Sequence, residues 1–412
     1  MSKIAASLIV SLFLVTTVYA GSPYVVDATV DNVNKSLGFH DFLDVVNTFK
    51  NSQLSQIFPN YTDQSPVNAN VDFRGLPVRL QYGQGATTLN FAVPSCNINK
   101  AFTGNTRDDS SRQFENYIEK EGGNDLTCIL QNLAKTSPID PLTGVAGSLY
   151  QTMAMADYLL GSNHSYTGTD ASTPNQLSFG VRFGQYSARG LDSTVLTIPF
   201  SYTINNAYGF GFAFDLPLTF VNTDGAKAYN ASLGLGVRIP VSHFLHFDRD
   251  EWDITPIVRV GAAGSPELAS VGVVYALGVL SHYALHLTPD LQIDMANLVS
   301  RYKTVPLRAG DFDIDYALEN FVFRNGLTAA FFLPSRIPFW PFASKKLSIK
   351  ASFTDTRFIG DDLFANSYQE LALDFGTVLQ KGGASWDNLR VGFQYTLSKT
   401  FNGFLFNLGY TF

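Results

Sequence analysis

Tyr208-Gly209-Phe210-Gly211-Phe212-Ala213-Phe214-Asp215-Leu216-Pro217-Leu218-Thr219-Phe220 sets a large apolar side chain at every second position, opposed by Gly209, Gly211, Ala213 and Asp215. A period of two belongs to a β-strand, whose side chains point alternately to its two faces. Large apolar groups on one face with small or polar groups on the other is the pattern of a strand between lipid and a lumen. The same alternation recurs around it. Leu177, Phe179, Val181 and Phe183 form one row. Leu196, Ile198, Phe200, Tyr202 and Ile204 form another, and Tyr229, Ala231, Leu233, Leu235, Val237 and Ile239 a third. Further rows begin near Trp252, Ala269, Tyr283, Leu291, Phe321, Leu347, Leu371 and Leu389, each separated from the next by turn residues. The predicted fold over residues 171–412 is an all-β transmembrane barrel of roughly 12–14 antiparallel strands. Leu268 to Leu287 carries no formal charge and is long enough for a membrane helix. Its alternation of Val271, Val273, Tyr275, Leu277 and Val279 with Ser270, Gly272, Ala276 and Gly278 favours a strand.

Two hairpins admit a register. Asn402-Gly403 is a preferred two-residue hairpin turn. Centred there, Phe401 faces Phe404, Leu397 faces Leu408, Tyr395 faces Tyr410 and Phe393 faces Phe412. The same reasoning between Ile204 and Tyr208 sets Tyr202 against Phe210 and Phe200 against Phe212. In both, the bulky residues share one face, and a slip by one residue would undo this.

The last strand, with Phe404, Phe406, Leu408 and Tyr410 at alternate positions before Phe412, resembles the C-terminal signature of Gram-negative outer-membrane β-barrel proteins. That resemblance implies recognition by the barrel-assembly machinery, an outer-membrane location with lipid as partner, and chain ends on the periplasmic side. An N-terminal segment ahead of the barrel is similar in architecture to the long-chain fatty-acid transporter family, where it plugs the lumen. That family's N-terminal motif is absent.

Ahead of the barrel the character changes. Lys3, the apolar run Ile4 to Val15 and Val18-Tyr19-Ala20 read as an export signal over residues 1–20. Residues 21–170 are expected to form a mostly helical region, periplasmic or inside the barrel. Phe39, Phe42, Leu43, Val46 and Phe49 suit one amphipathic helix. Residues 107–136 read as helix with a break at Gly122-Gly123, and a third helix runs from about Val145 to Leu160, after Pro138 and Pro141. Between them, Val78, Leu80 and Tyr82 and then Leu89, Phe91 and Val93 flank Gly83-Gln84-Gly85 as a hairpin. Cys96 and Cys128 are the only cysteines. In an oxidising compartment they could join in a disulfide, or remain two small apolar residues.

Composition narrows the function. The chain has 412 residues, a formal net charge of −7 and only 15% charged residues. With no basic excess, a nucleic-acid partner is excluded. No metal site or cofactor is expected: no His lies near either Cys, and His282 and His286 stand about 13 Å apart on a strand rising ~3.3 Å per residue. Catalysis is not expected either, since Ser281 and His282 point to opposite faces of a strand. Gly83-x-Gly85 lacks the rest of a phosphate-binding fingerprint. The lumen-facing charged set comprises Arg182, Asp215, Arg238, Asp253, Arg259, Asp294, Arg324, Lys350, Glu370, Asp374 and Arg390. It can line a channel that selects solutes by charge and size, or form an ion-pair lattice that fills the barrel. The reading is therefore a passive channel or uptake protein for small solutes, apolar ones among them. The alternative is a non-conducting barrel carrying a periplasmic binding or assembly module. Trp252, Trp340, Trp386, Phe339 and Phe342 fit the membrane interface.

Overall fold

The computed structural model describes residues 21–118, 123–162, 175–206, 208–247, 250–309, 312–333, 347–377 and 389–411. The export signal, Phe339, Trp340, Phe342, Trp386 and Phe412 lie outside these residues.

The first part of the chain is a sheet. Strands β1 (Tyr24–Val30) and β2 (Val33–Phe39) form a hairpin, followed by helices α1 (Phe42–Thr48) and α2 (Asn51–Ile57). Strands β3 (Val67–Phe73), β4 (Leu76–Tyr82), β5 (Thr88–Val93) and β6 (Ile98–Thr103) complete an antiparallel sheet in the order β2-β1-β3-β4-β5-β6. Helices α3 (Arg107–Asn116) and α4 (Gly123–Thr136) follow. The expectation of a mostly helical region is corrected here. Tyr24, Val26, Ala28 and Val30 alternate, as do Val67, Ala69 and Val71, and all are buried. The residues between them in β3 are Asn68, Asn70 and Asp72, so the stretch reads as polar although one face is core. Seven residues give only three or four apolar positions, too few to stand out. The predicted hairpin is present, with Leu80 opposite Phe91 and Tyr82 opposite Leu89. The helix predicted around Phe39 to Phe49 is α1, begun by Asp41, whose carboxylate accepts from the Leu43 amide.

The barrel strands are β7 (Gln176–Ala188), β8 (Leu191–Ile198), β9 (Phe200–Asn205), β10 (Gly211–Asp215), β11 (Leu218–Thr223) and β12 (Ala226–Pro240). After the short helix α6 (Val241–Leu245) come β13 (Glu251–Ser265), β14 (Ser270–Thr288) and β15 (Leu291–Val305). The small hairpin of β16 (Leu307–Ala309) and β17 (Phe312–Ile314) leads to β18 (Glu319–Leu333), β19 (Leu347–Gly360), β20 (Ser367–Thr377), β21 (Leu389–Leu397) and β22 (Asn402–Thr411). Two of these spans are interrupted. β8 and β9 are one strand broken at Pro199, and β10 and β11 one strand broken at Leu216-Pro217. Proline supplies no N–H to a ladder, and here two neighbouring strands carry one at the same level. Counted so, the sheet has twelve strands and closes on itself through β7, which pairs with β22 on one side and with β8 and β9 on the other. The rows predicted near Ala269 and Tyr283 are a single 19-residue strand, β14.

Both predicted registers are corrected. In the terminal hairpin Leu397 faces Asn402, Tyr395 faces Phe404 and Phe393 faces Phe406. The turn is Ser398 to Phe401, closed by the Ser398 amide on the Phe401 carbonyl. In the earlier hairpin Phe212 faces Ile204 and Phe214 faces Tyr202. Each ladder is displaced by an even number of residues, so every side chain keeps its predicted face. Alternation specifies the face, and several registers share it. Gly403 is not a turn residue but lies beside the Tyr186 ring, which a Cβ there would strike.

The two mouths differ. At one, the terminal mouth, β7 begins and β22 ends. At the other, the turns 189–190, 224–225, 266–269 and 398–401 are short, and the sheet domain packs onto them. The Phe42 amide and the Tyr24 hydroxyl donate to the Glu267 carbonyl at 3.0 and 3.1 Å. Arg189 donates to the Thr136 carbonyl at 2.9 Å, the Phe364 amide to the Ala134 carbonyl at 2.8 Å, and Lys135 pairs with Asp362 at 2.6 Å. The expectation that both chain ends share one side is therefore not met: β1 stands at the domain mouth and β22 ends at the terminal mouth. The connection is helix α5 (Leu149–Ser162), which lies inside the barrel.

Outside, the wall is what a bilayer requires. Val258, Leu277, Phe321, Phe353, Leu371, Phe393, Phe404 and Leu408 are exposed on it. Such residues run down to the terminal mouth; towards the domain mouth Gln185, Asp192, Asn222, Lys227, Arg301, Lys303 and Arg357 face out among apolar residues such as Phe321, Ile359 and Leu397. Among the described residues no helix is long and apolar enough to cross a membrane.

Candidate functional site

The lumen is occupied. Every residue from Ser137 to Gln151 is buried. This segment turns down through the domain mouth and becomes α5, whose 14 residues span about 21 Å at 1.5 Å per residue. Its turns satisfy their own backbone: the Gly144 amide donates to the Asp140 carbonyl, Val145 to Pro138, Leu149 to Pro141 and Tyr150 to Leu142. The Asp140 carboxylate accepts from the Leu142 and Thr143 amides and, at 3.0 Å, from the Tyr316 hydroxyl. Arg74, in the β3–β4 turn, reaches within 3.7 Å of it. The stretch around Pro138 and Pro141, predicted only as a stop before a helix, thus fills one mouth of the barrel.

Helix α5 then meets the wall on several sides. Tyr158 and Leu160 pack with Ala213, Ile257, Leu280, Ala296 and Leu298. Glycines make the room. A Cβ at Gly326 would fall 1.9 Å from the Tyr158 hydroxyl, and one at Gly261 would fall 2.8 Å from Leu149. Asp157 is the sole charge in α5. Its Oδ1 accepts from Arg259 Nε at 2.5 Å and its Oδ2 from the Tyr302 hydroxyl at 2.9 Å. Arg259 also donates from Nη2 to Asp215 Oδ1 at 2.7 Å and from Nη1 to Ser232 Oγ at 3.0 Å. A guanidinium with donors in a fixed fork suits this bridging of two carboxylates, one from the helix and one from the wall. Removed from water, such a group is tolerable only when its partners are in place.

All eleven charged residues predicted to face the lumen project inward, by their alternation with the outward set. The structure divides them into groups. Asp215 and Arg259 hold the helix. Arg182 also reaches it, donating to Met155 Sδ at 3.1 Å. Arg324 pairs with Glu370 at 2.5 Å, donates to Thr356 Oγ1 and stacks over the Tyr158 ring at 5.1 Å. Gln394 completes Glu370. Asp294 accepts from Gln292 and lies 3.4 Å from His282 Nε2. Asp374 accepts from Asn407, Arg390 donates to Ser348 Oγ, and Arg238 donates to Asn205 Oδ1. Lys350 is opposite Asp374 in the ladder, and Asp253 opposite His282. Of the α5 residues at the wall, Met155 and Tyr158 belong to a stripe that reads as ordinary core packing, while Asp157 was missed from sequence. A lone acid within an otherwise uncharged helix was the available signal.

Cys96 and Cys128 form a disulfide, which ties α4 to the turn after β5. Ser281 accepts from Trp252 Nε1 on the outer wall while His282 faces the lumen. Of the terminal strand, Phe404, Phe406 and Leu408 face out. Among the described residues no three His, Cys, Asp or Glu side chains are grouped to hold a metal.

No protein-family model matches the sequence, and no curated protein matches it. Solved structures with a similar outline include the β domain of the Bordetella autotransporter BrkA, at 15% identity over 58% of this chain and 98% of that one, with a TM-score of 0.43. The translocator domain of the autotransporter NalP from Neisseria meningitidis has 15% identity over 64% and 98%, with a TM-score of 0.42. An outer-membrane channel from Pseudomonas putida F1 has 11% identity over 59% and 97%, with a TM-score of 0.37. The likeness is that of one barrel to another.

Proposed function

We propose that this chain is an outer-membrane barrel channel for small solutes whose lumen is closed by α5, so that passage waits on displacement of that helix. The observation that supports this reading is the Asp157–Arg259–Asp215 bridge: the helix is held to a charged wall by ionic and hydrogen bonds that a solute or a change of state can exchange. A seam of leucines would offer no such exchange. The terminal-strand signature implies that the terminal mouth is periplasmic. The sheet domain then stands at the cell surface, and the outward polar residues Asp192, Lys227, Arg301 and Arg357 nearer the domain mouth agree with that orientation.

A second reading, a non-conducting barrel that carries the sheet domain, is favoured by the contacts of Tyr24, Phe42, Lys135 and Arg189 with the domain mouth. Planar-bilayer conductance separates the two. Full-length protein should be silent, and protein lacking residues 21–162 should conduct steadily. Silence from a folded deletion variant would remove the channel and leave the anchor. Protease added to intact cells should cleave the sheet domain; protection until the outer membrane is opened would reverse the orientation.

A further inference from the structure

Between Ser137 and Ser162, the segment that enters the domain mouth and runs down the lumen, the only charges are Asp140 and Asp157. Asp157 is held by the wall. Asp140 is held from the sheet domain. Its Oδ1 accepts from the Leu142 and Thr143 amides and so closes the segment's own turn, which leaves Oδ2 for other parts of the molecule. Oδ2 accepts from the Tyr316 hydroxyl at 3.0 Å, and Tyr316 shares a further hydrogen bond with Ser270 at the start of β14. The guanidinium 3.7 Å from the same oxygen is that of Arg74. Domain, plug and barrel thus meet at one carboxylate oxygen, and the side chains of Arg74 and Asp140 are both fully buried.

The turn that carries Arg74 does not call for an arginine. Arg74 and Gly75 join β3 to β4 as a two-residue turn, with φ of 54° and 94°. Such a turn favours Asn, Asp or Gly at its first position, because longer side chains are strained at positive φ. None of the three guanidinium nitrogens makes a hydrogen bond, and among the described residues Asp140 is the acid with which Arg74 pairs. A buried cation held by one carboxylate is a weak source of stability, but removal of either partner leaves the other charged and enclosed. Such a pair therefore favours one arrangement of domain and plug over all others.

We infer that Arg74 is the latch by which the sheet domain keeps the plug closed. While the domain is seated on its mouth the guanidinium holds Asp140, and when the domain is lifted the plug loses that hold. The plug is fastened at two points, to the wall through Asp157 and to the domain through Asp140, and passage is governed from the side on which the domain stands. The inference rests on the proposed channel and adds what releases it.

Planar-bilayer recordings of the full chain test it. Arg74→Asn replaces the cation with a residue that the turn favours, and Asp140→Asn keeps the Oδ1 acceptor while removing the charge. Each should give bursts of conductance, with an open time at least tenfold that of the unaltered chain. Arg74→Asn/Asp140→Asn should open no more than the more active single variant, since the same interaction is removed in all three. Lys135→Ala breaks the exposed ion pair of the domain with Asp362 but leaves Arg74 in place, and should stay silent. All four should keep the faster gel mobility of unheated, folded barrel. Asp140→Asn changes no residue of the sheet domain, so its bursts separate the latch from a loosened domain. Silence of both single variants beside steady conductance from protein lacking residues 21–162 would overturn the latch. So would open times that multiply in the double variant, or equal bursts from Lys135→Ala. Silence of the deletion variant as well would fail the channel reading, and the latch with it.

Discussion

The sheet domain and the barrel are both antiparallel sheets with the same period of two, turned inside out with respect to one another. In the domain Val26, Val71, Leu80 and Phe91 are at most 4% exposed, while Asn68, Asn70, Arg79 and Gln81 face water. In the barrel Leu277 and Phe393 are 55% and 58% exposed, while Asp157, Arg259 and Tyr302 are enclosed. Alternation reports that a strand has two unlike faces. Which of them is hidden depends on the medium: water drives apolar faces together in the domain, and lipid lets them stand outward on the barrel.

This contrast can be broken at several points. The largest effect belongs to the enclosed charges. Asp157→Ala leaves Arg259 with one carboxylate in place of two, and removing one partner of a buried pair costs about 3–5 kcal/mol. The expected result is a lower temperature for loss of the folded-barrel gel mobility, together with bursts of conductance. An unchanged, silent barrel would show that α5 is held by its apolar side alone. Next comes a paired truncation. Leu80→Ala should cost the sheet domain about 2–5 kcal/mol, read as earlier protease cleavage in a urea series. Leu277→Ala on the outer wall should change stability by no more than about 0.5 kcal/mol. Equal losses would mean that the outer wall is packed against something other than lipid.

Reduction of Cys96–Cys128, 32 residues apart, should weaken the sheet domain by about 3 kcal/mol, the entropy of a loop of that order, and leave the barrel's gel mobility unaltered. A barrel that softens in parallel would show that the two regions unfold together. The smallest effect is with pH. Burial raises the Tyr82 hydroxyl above its ordinary 10.0, with Ser110 and Ser111 opposing the rise. It stays neutral in the fold while the unfolded chain ionises, so this contribution is complete below pH 10 and falls as pH rises beyond it. Tyr82→Phe should flatten the alkaline side of the domain's stability curve. An identical slope would assign the alkaline loss to other groups.

Much of the barrel was legible because its pattern is local. Each strand supplies its own two-residue period, and lumen-facing residues such as Arg259 and Glu370 follow from parity alone. The registers were not legible: Phe393 opposite Phe406 and Phe393 opposite Phe412 present the same faces, and only turn geometry and the neighbouring strands choose between them. The sheet domain was hidden by its short strands and its many Asn residues. A segment inside the barrel was one of two expected placements, but that Ser137 to Gln151 belongs to it was not legible, because this stretch acquires its burial from a wall formed by residues as distant in sequence as Tyr316.

The sequence by itself determined that this chain makes strands with an apolar and a polar face, and which side chains belong to each, because that information resides in neighbouring residues. The tertiary structure decided the rest: closure at twelve strands, the pairing of those strands, the domain at the mouth opposite the last strand's end, and a helix bound by Arg259 within the lumen. Closure and the lumenal helix depend on contacts between residues more than a hundred positions apart, such as Asp157 and Arg259, 102 apart, and Tyr302, 145 from Asp157. No local period encodes such distances.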